Sequence, residues 1–265
     1  MRKKMLSLFL TVATVLSLFA TMTLTASADE LTYDGEFNIE IGEGTGSGFR
    51  YASGELWLDE DGTYLVYGNG NKVGNRIRVS ADVTATVTIK DINLEINLPF
   101  ECGANSNVTL VLADNSENTF NSYGGHAGLR VVPTATLTIT TAGQSLGNGS
   151  LSAYGDADSS SHWASAGIGG SELEPSGTIV IDGGTVFAKG GNGRPAGAWT
   201  GPGGAGIGGA STRACGDITI NGGTVTAIGG DVNPEGAGIG GGSSDPSTYG
   251  GKITINGGTV RANSG

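Results

Sequence analysis

Cysteine is scarce in this chain of 265 residues, which contains only Cys102 and Cys215. In the repeat described below, the two cysteines are expected about four coils apart, at about 4.8 Å per coil. That separation exceeds the Cα–Cα distance of about 7 Å that a disulfide can bridge. We therefore predict no disulfide, and expect stability to come from the stacking of repeated units on one another.

Histidine and basic residues are also few. The two histidines, His126 and His162, lack Cys or carboxylate partners at the spacing of a zinc site, which argues against a transition metal. The 14 Lys and Arg residues are outnumbered by 25 Asp and Glu residues, so the formal net charge is -11. Because such an acidic surface repels phosphates, we expect no nucleic acid partner.

Long apolar runs are absent after the first 28 residues. The chain opens with the basic segment 1–4 (MRKK), is apolar over 6–24, and reaches Ala-Ser-Ala at 26–28. This order is typical of a secretory signal peptide, with an N-terminal membrane anchor as the alternative. We predict that residues 1–28 are a signal peptide, that the protein is secreted or held at the cell surface, and that no segment spans a membrane. Removing three basic residues and no acidic ones would change the net charge to -14.

Glycine is abundant, with 49 residues, and it marks an internal repeat. The pattern I-x-I-[N/D]-G-G-T-V begins at Ile179, Ile218 and Ile253, and in the first two units it is followed by a loop and A-G-I-G-G. The starts lie 39 and then 35 residues apart, a period that indicates a solenoid, propeller or array. Each unit holds three short apolar pieces with the alternation of strands. Since a propeller blade needs four strands and hairpin turns, the pattern predicts a parallel β-helix.

We predict an all-β fold: a right-handed parallel β-helix of about six coils, each with three short strands, behind an N-terminal cap. Residues 29–62 are expected to form the cap, with residues 54–66 as two strands around an Asp-Gly turn. Residues 63–265 are expected to form the β-helix, and because the last coil lacks its third strand we expect further domains C-terminal to it. Aligned coil starts are expected at Val87, Val108, Leu137, Ile179, Ile218 and Ile253.

Two rows of polar side chains are expected along the stacked coils. Threonine suits exposed strand positions, although a flat hydroxyl surface of the kind used by ice-binding β-helices is an alternative. The predicted threonine column, interrupted by Val180, contains Thr88, Thr109, Thr138, Thr219 and Thr254. At one corner, Asp182, Asn221 and Asn256 are expected to form a structural ladder through hydrogen bonds between their side chains.

The candidate binding residues lie in the loops between the second and third strands. Loops on a rigid scaffold commonly carry function, and these occupy the same corner of neighbouring coils, so Trp163 and Trp199 are expected at one edge. Aromatic rings stack on the apolar faces of sugars, and His162, Asn192 and Arg194 would supply polar contacts. The pattern therefore predicts a carbohydrate site. In the alternative interpretation, each Trp packs over its own loop.

Asp156 and Asp158 are candidate calcium ligands, although this segment lacks the glutamate and glycine of an EF-hand loop. No other cofactor is predicted. The G-x-G-x-x-G matches at 204–209 and 236–241 recur within the repeat and are followed by no helical pattern, so they do not indicate a dinucleotide site.

An enzyme is disfavoured by the residues expected on the outer faces. A glycosidase needs two carboxyl groups about 5–10 Å apart, whereas the predicted outward positions carry Thr, Gly and Ser. Glu172 or Glu174 beside Asp245 is the only candidate pair.

A family resemblance covers roughly residues 60–265. Residues 61–68 (DGTYLVYG), 75–79 (NRIRV) and 87–89 (VTI), with the repeated G-A-G-I-G-G and I-T-I-N-G-G-T-V segments, resemble secreted β-helix proteins of Gram-positive bacteria. Those proteins are described as carbohydrate-binding or adhesin-like and look like distant relatives of pectate-lyase-type β-helices. The resemblance implies a partner such as an extracellular polysaccharide or cell-wall glycan. It implies no catalytic residues, because no lyase motif is matched. A surface stalk without a ligand is the main alternative, followed by a polysaccharide lyase and an ice-binding surface.

Overall fold

The computed structural model describes residues 31–33, 37–41, 48–143, 148–157, 163–193, 201–231, 234–242 and 250–265. The predicted signal peptide lies outside these residues. Within the described ranges all regular structure is β-strand, so they contain no helix that could cross a membrane.

Three sheets run the length of the molecule, and we number them in the order in which the predicted repeat visits them. Sheet 1 contains β1 Leu31–Tyr33, β2 Phe37–Ile41, β5 Gly62–Tyr67, β8 Thr84–Lys90, β11 Asn107–Leu112, β14 Thr136–Thr141, β17 Thr178–Ile181, β20 Ile218–Ile220 and β23 Ile253–Ile255. Sheet 2 contains β6 Lys72–Val73, β9 Asn93–Glu95, β12 Glu117–Asn121, β15 Ser150–Tyr154, β18 Thr185–Lys189, β21 Thr224–Ile228 and β24 Thr259–Asn263. Sheet 3 contains β3 Phe49–Ala52, β4 Glu55–Leu58, β7 Arg76–Val79, β10 Phe100–Cys102, β13 Leu129–Val131, β16 Ile168–Gly169, β19 Ile207–Gly208 and β22 Ile239–Gly240.

The predicted fold class, a parallel β-helix, is confirmed. From β4 onward the chain visits the three sheets in a fixed rotation, and each strand between the first and last coils pairs in parallel with the strand one coil earlier and one coil later. Each sheet has seven such parallel strands among the described residues, one coil more than the six expected. The additional coil is the first, β4 to β6.

The first coil was missed because its corner resembles a hairpin turn. Residues 54–66 do not form the predicted pair of strands around an Asp-Gly turn, since β4 and β5 lie in different sheets. Asp61 stands instead at a corner, where its carboxylate accepts the backbone N–H of Thr84 from the next coil at 2.7 Å. Corners and hairpins use the same turn residues, so composition does not separate them.

Three antiparallel strands cover the start of the solenoid. β1 pairs with β2, β2 pairs with β5, and β3 pairs with β4. The first parallel strands of sheets 1 and 3 are therefore not left as open edges, which would invite pairing with another chain. The predicted N-terminal cap is present, although parallel pairing already begins at β4, inside residues 29–62.

The strand register differs from the predicted alignment in one coil. Val108 pairs with Ala85, and Val87 pairs with Leu110, so the predicted start at Val87 is wrong by two residues. A shift of two residues keeps every side chain on its own face, and alternation alone cannot detect it. The later starts pair as expected.

The threonine column changes with this register. Its member in that coil is Thr86 rather than Thr88, and the column extends one coil further to Thr63. Val180 interrupts it as expected.

Alternating aliphatic residues from all three sheets fill the core. Leu137, Ile179 and Ile218 are completely buried in one such row, whereas Ile253 in the last coil is 43% exposed. Phe100 and Phe120 stack inside the core with ring centroids 5.5 Å apart, joining sheet 3 to sheet 2. Full burial of such side chains contributes roughly 1.5–3 kcal/mol each.

The A-G-I-G-G segments supply sheet 3 in the later coils, but only their central Ile-Gly pairs are strand. The backbone N–H of Ala205 donates to the carbonyl of Gly209 at 3.1 Å, so the segment folds back on itself and inserts Ile207 into the core. Gly208 has a φ of 134°, a conformation open only to glycine. A Cβ added there would lie 1.9 Å from the carbonyl oxygen of Gly240 in the next coil.

Gly208→Ala should therefore destabilise the protein strongly. The backbone strain alone costs about 1–3 kcal/mol, and the overlap with Gly240 adds to it. Urea unfolding followed by circular dichroism measures the change in free energy. Gly74→Ala is the matched control, because no atom lies within 4 Å of the added Cβ. Equal stability of the two variants would contradict the close approach of the coils.

Candidate functional site

Three long connections leave sheet 2 and enter sheet 3 at one corner, and we call them the corner loops: residues 155–167, 190–206 and 229–238. Their backbones bond to one another between coils. The N–H of Gly191 donates to Ser165 at 2.9 Å, and the N–H of Gly193 donates to Asp231 at 3.0 Å. The described parts of the loops therefore stack on one another, as the sequence predicted for this corner.

Some of the predicted site residues lie at this corner and others outside the described residues. Trp163 is partly exposed and Asn192 is exposed, with the Asn192 side-chain oxygen accepting the N–H of Asp231 at 3.1 Å. Asp156 accepts the N–H of Gly124 through its carboxylate at 2.9 Å. The remaining predicted residues lie outside the described ranges: Asp158, His162, Arg194 and Trp199.

Two outward-facing aromatic residues beside the corner loops were missed by the sequence analysis. Tyr154 ends β15 and Phe187 lies in β18, and their ring centroids are 5.5 Å apart with the planes tilted by 46°. Both are only partly buried, because their strand neighbours Ala153 and Ala188 take the inward positions. The sequence feature that could have identified them is the presence of two aromatic residues at outward positions where the other coils carry mainly small or polar residues.

Polar side chains surround this pair on the outer face of sheet 2. One outward column pairs Asn121, Tyr154, Lys189 and Ile228 from four successive coils. We call this column together with Phe187 the outer strip. Tyr123, two residues after Asn121 in the chain, is 51% exposed.

Each cationic or amide group of the outer strip has a carboxylate partner. The ammonium of Lys189 lies 3.5 Å from a carboxylate oxygen of Asp231. The Asn121 amide donates at 3.3 Å to Glu95, and Glu95 is also paired with Lys72. These partners hold the polar side chains beside the aromatic rings.

A row of alternating charges covers the outer face of sheet 3. The distances are 2.8 Å from Arg78 to Glu101, 3.1 Å from Arg130 to Glu101 and 2.8 Å from Arg130 to Glu174. The row, all of it partly buried, contains Glu55, Arg78, Glu101, Arg130 and Glu174. Its cations are thus neutralised by their own carboxylates.

Two arginine side chains pack on the ring of Trp57, which lies on the same face of sheet 3. The guanidinium carbons of Arg50 and Arg78 lie 4.2 and 4.9 Å from its ring centroid. These cation–π contacts give the ring a structural role.

A small open pocket adjoins the end of the charge row, with a volume of about 210 Å³. Its lining residues are His126, Arg130, Ser171, Glu172, Leu173 and Glu174. The Arg130 guanidinium is held by two hydrogen bonds from Nη2 and one from Nε to Glu174. The pocket is smaller than the roughly 300 Å³ at which ligand sites usually begin.

Among the described residues no three His, Cys, Asp or Glu side chains lie close enough to hold a metal ion. Calcium binding by Asp156 with Asp158 stays a prediction, because Asp158 lies outside those residues. Cys102 and Cys215 are free and buried, and burial raises the pKa of both thiols, which disfavours the nucleophilic thiolate.

The corner ladder contains the expected hydrogen bonds. The Asn221 amide donates to the Asp182 carboxylate at 2.7 Å, and the Asn256 amide donates to the Asn221 oxygen at 2.8 Å. These three side chains lie at the corner between sheets 1 and 2, away from the corner loops.

Comparison with known proteins supports the architecture. The family model of the beta helix repeat matches residues 218–243 and 253–265, which hold β20 to β24. The chain is a parallel β-helix protein. No curated protein and no solved structure matches it significantly. The match covers the last coils of the β-helix and identifies no ligand.

Acid should destabilise the β-helix through His126. Burial lowers the pKa of its imidazole, and this effect exceeds the opposing attraction of the Glu172 carboxylate. The unfolded chain therefore binds a proton at His126 more readily than the folded protein does. The contribution of the neutral imidazole to the free energy of unfolding is complete above the ordinary pKa of about 6.5. It is lost as the pH falls through the lower pKa of the folded state.

His126→Gln should reduce the loss of stability between about pH 7.5 and about pH 5, which urea unfolding at the two pH values measures. An equal loss in the wild type and the variant would contradict the lowered pKa.

Proposed function

We propose that this β-helix binds an extracellular polysaccharide through the outer strip and the adjoining corner loops. The observation that carries the proposal is the contact between the outward-facing rings of Tyr154 and Phe187. The proposal keeps the polysaccharide partner expected from the sequence and moves the centre of the site from the loops to the neighbouring sheet face.

The chemistry of this surface fits a sugar. Partly exposed aromatic rings offer flat apolar faces, and Tyr adds a hydroxyl that can hydrogen-bond at the edge. The apolar C–H faces of pyranoses stack on such rings while their hydroxyls need polar partners. Asn121, Ser152 and the Lys189–Asp231 ion pair supply donors and acceptors beside the rings.

The corner loops would extend the same surface. Trp163 is partly exposed and Asn192 is exposed at the corner where the chain leaves sheet 2. Trp199, His162 and Arg194 belong to the proposed site by their sequence positions in these loops.

The proposal assigns the protein to the cell exterior, either free or as a surface adhesin. The basic start, apolar run and Ala-Ser-Ala site within residues 1–28 support export. The negative net charge, -11 for the full sequence and -14 without residues 1–28, supports solubility there.

A structural stalk is the second candidate. It is favoured by the alternating charge row on sheet 3, which links five consecutive coils through half-buried ion pairs. Such pairs hold the coils in register without presenting a free charge to a ligand. A stalk would bind no glycan.

The test is a pull-down of the purified protein on insoluble cellulose, chitin, xylan, mannan and peptidoglycan, with calcium and with chelator. We expect retention on at least one of them. The double variant Tyr154→Ala, Phe187→Ala should lower the affinity at least tenfold, about 1.4 kcal/mol, because the stacking surface is lost. Trp163→Ala should lower it further, because the proposed site includes the partly exposed Trp163 of the corner loops.

Thr259→Ala is the matched control, since Thr259 is an exposed residue of β24 in the same sheet, two coils from Phe187 and three from Tyr154. Its binding should equal that of the wild type, and thermal unfolding checks that all variants are folded. Retention unchanged in the double variant, or no retention of the wild type on any polysaccharide, would contradict the proposal and favour the stalk.

A further inference from the structure

We infer that the polysaccharide is uncharged and that it lies along the axis of the β-helix, with one sugar unit on each coil of the outer strip. The inference rests on the proposed function and specifies the ligand class and the direction of the chain. Three features of sheet 2 carry it: the spacing of its strands, the arrangement of its aromatic rings, and the pairing of its charges.

The spacing of the coils matches the spacing of sugars. Parallel strands lie about 4.8 Å apart, close to the length of one pyranose unit in an extended β-linked chain. The Tyr154 and Phe187 centroids are 5.5 Å apart and belong to successive coils. Neighbouring sugars of a chain parallel to the axis would therefore meet successive coils without loss of register.

The arrangement of the rings disfavours a chain that runs along a strand. In β15 the outward positions are Ser150, Ser152 and Tyr154, and in β18 they are Thr185, Phe187 and Lys189. A glycan along either strand would meet a single ring. A glycan along the axis meets Tyr154 and then Phe187, which lies diagonally across on the next coil.

The strip has definite ends along the axis. On the N-terminal side Asn121 is bound to Glu95 of the preceding coil, and Glu95 is paired with Lys72, so charges replace the neutral surface there. On the C-terminal side Ile228 offers a last apolar contact before Asn263 and the neighbouring Arg261. Four coils lie between these limits, which predicts a footprint of four sugar units.

The charges of this face argue against a polyanionic glycan. Within the four coils of the strip the only cation on the outward positions of sheet 2 is Lys189, and Asp231 neutralises it. Glu117, on the outer edge of β12, adds a negative charge to the same face. A uronate polymer would find no unpaired cation there and would approach a protein of net charge -11. Like charges repel at this range, so a neutral polymer is favoured.

The test is isothermal titration of the purified protein with oligosaccharides of two to six units: cello-oligosaccharides, N-acetylchito-oligosaccharides and oligogalacturonates. For a neutral series we expect the affinity to increase with each unit up to four and then to level off. Oligogalacturonates should bind at least tenfold more weakly at the same length, in calcium and in chelator.

Position-specific variants add a second readout. Ile228→Ala should weaken the four-unit ligand about threefold and leave the two-unit ligand unchanged, whereas Tyr154→Ala should weaken every length. Thr224→Ala, outward on the same strand as Ile228, is the control and should change neither.

The outcomes separate this inference from the proposed function. An affinity that does not change beyond two units would mean that the glycan crosses the coils in another direction, and would overturn the inference while polysaccharide binding stands. Tighter binding of oligogalacturonates, or binding of them only with calcium, would overturn the neutral class. Retention on an insoluble polysaccharide without binding of any neutral oligosaccharide would overturn the unit-per-coil arrangement. Loss of all glycan binding would remove the proposed function itself.

Discussion

Hydrogen bonding between the backbones of successive coils holds them about 4.8 Å apart, and this short distance explains the high glycine content of the chain. Where the corner loops and the A-G-I-G-G segments stack, the backbones leave no room for a side chain. A Cβ on Gly204 would lie 2.1 Å from the Ser165 carbonyl oxygen, and one on Gly236 would lie 1.9 Å from that of Gly204. The many glycines are therefore a consequence of close stacking, and only secondarily a source of turns.

The same stacking explains which parts of the fold were predictable. From Val108 onward equivalent residues recur at equivalent places, and each coil reports the register of the next. The first coils carry different residues, so their strands could be recognised but not aligned. Asp61-Gly62 reads equally well as a hairpin turn and as a solenoid corner, and only the parallel pairing of β4 with β7 decides between them.

The candidate site was harder to predict for a different reason. The corner loops could be found, because insertions between repeats are visible in the sequence, and Trp163 and Asn192 lie there. Tyr154 and Phe187 become neighbours only when β15 and β18 are paired. The row of alternating charges on sheet 3 is harder still to predict from the sequence. Its members are 23, 29 and 44 residues apart and follow no period. A contact between side chains one coil apart can thus be read from the sequence only where a repeated motif marks the equivalent positions, as it does for the ladder of Asp182, Asn221 and Asn256.

The side-chain hydrogen bonds in the ladder of Asp182, Asn221 and Asn256 all point the same way along the β-helix. Asn256 donates to Asn221 and Asn221 donates to Asp182, so on the N-terminal side the row ends at a carboxylate, a group that accepts without donating. A duplicated coil with Asn at this corner would lengthen the row without leaving an amide unpaired. A duplicated coil with Asp there would set two acceptors against each other. Copies of the units that begin at Ile218 and Ile253 would therefore continue this row of hydrogen bonds, whereas a copy of the unit that begins at Ile179 would interrupt it.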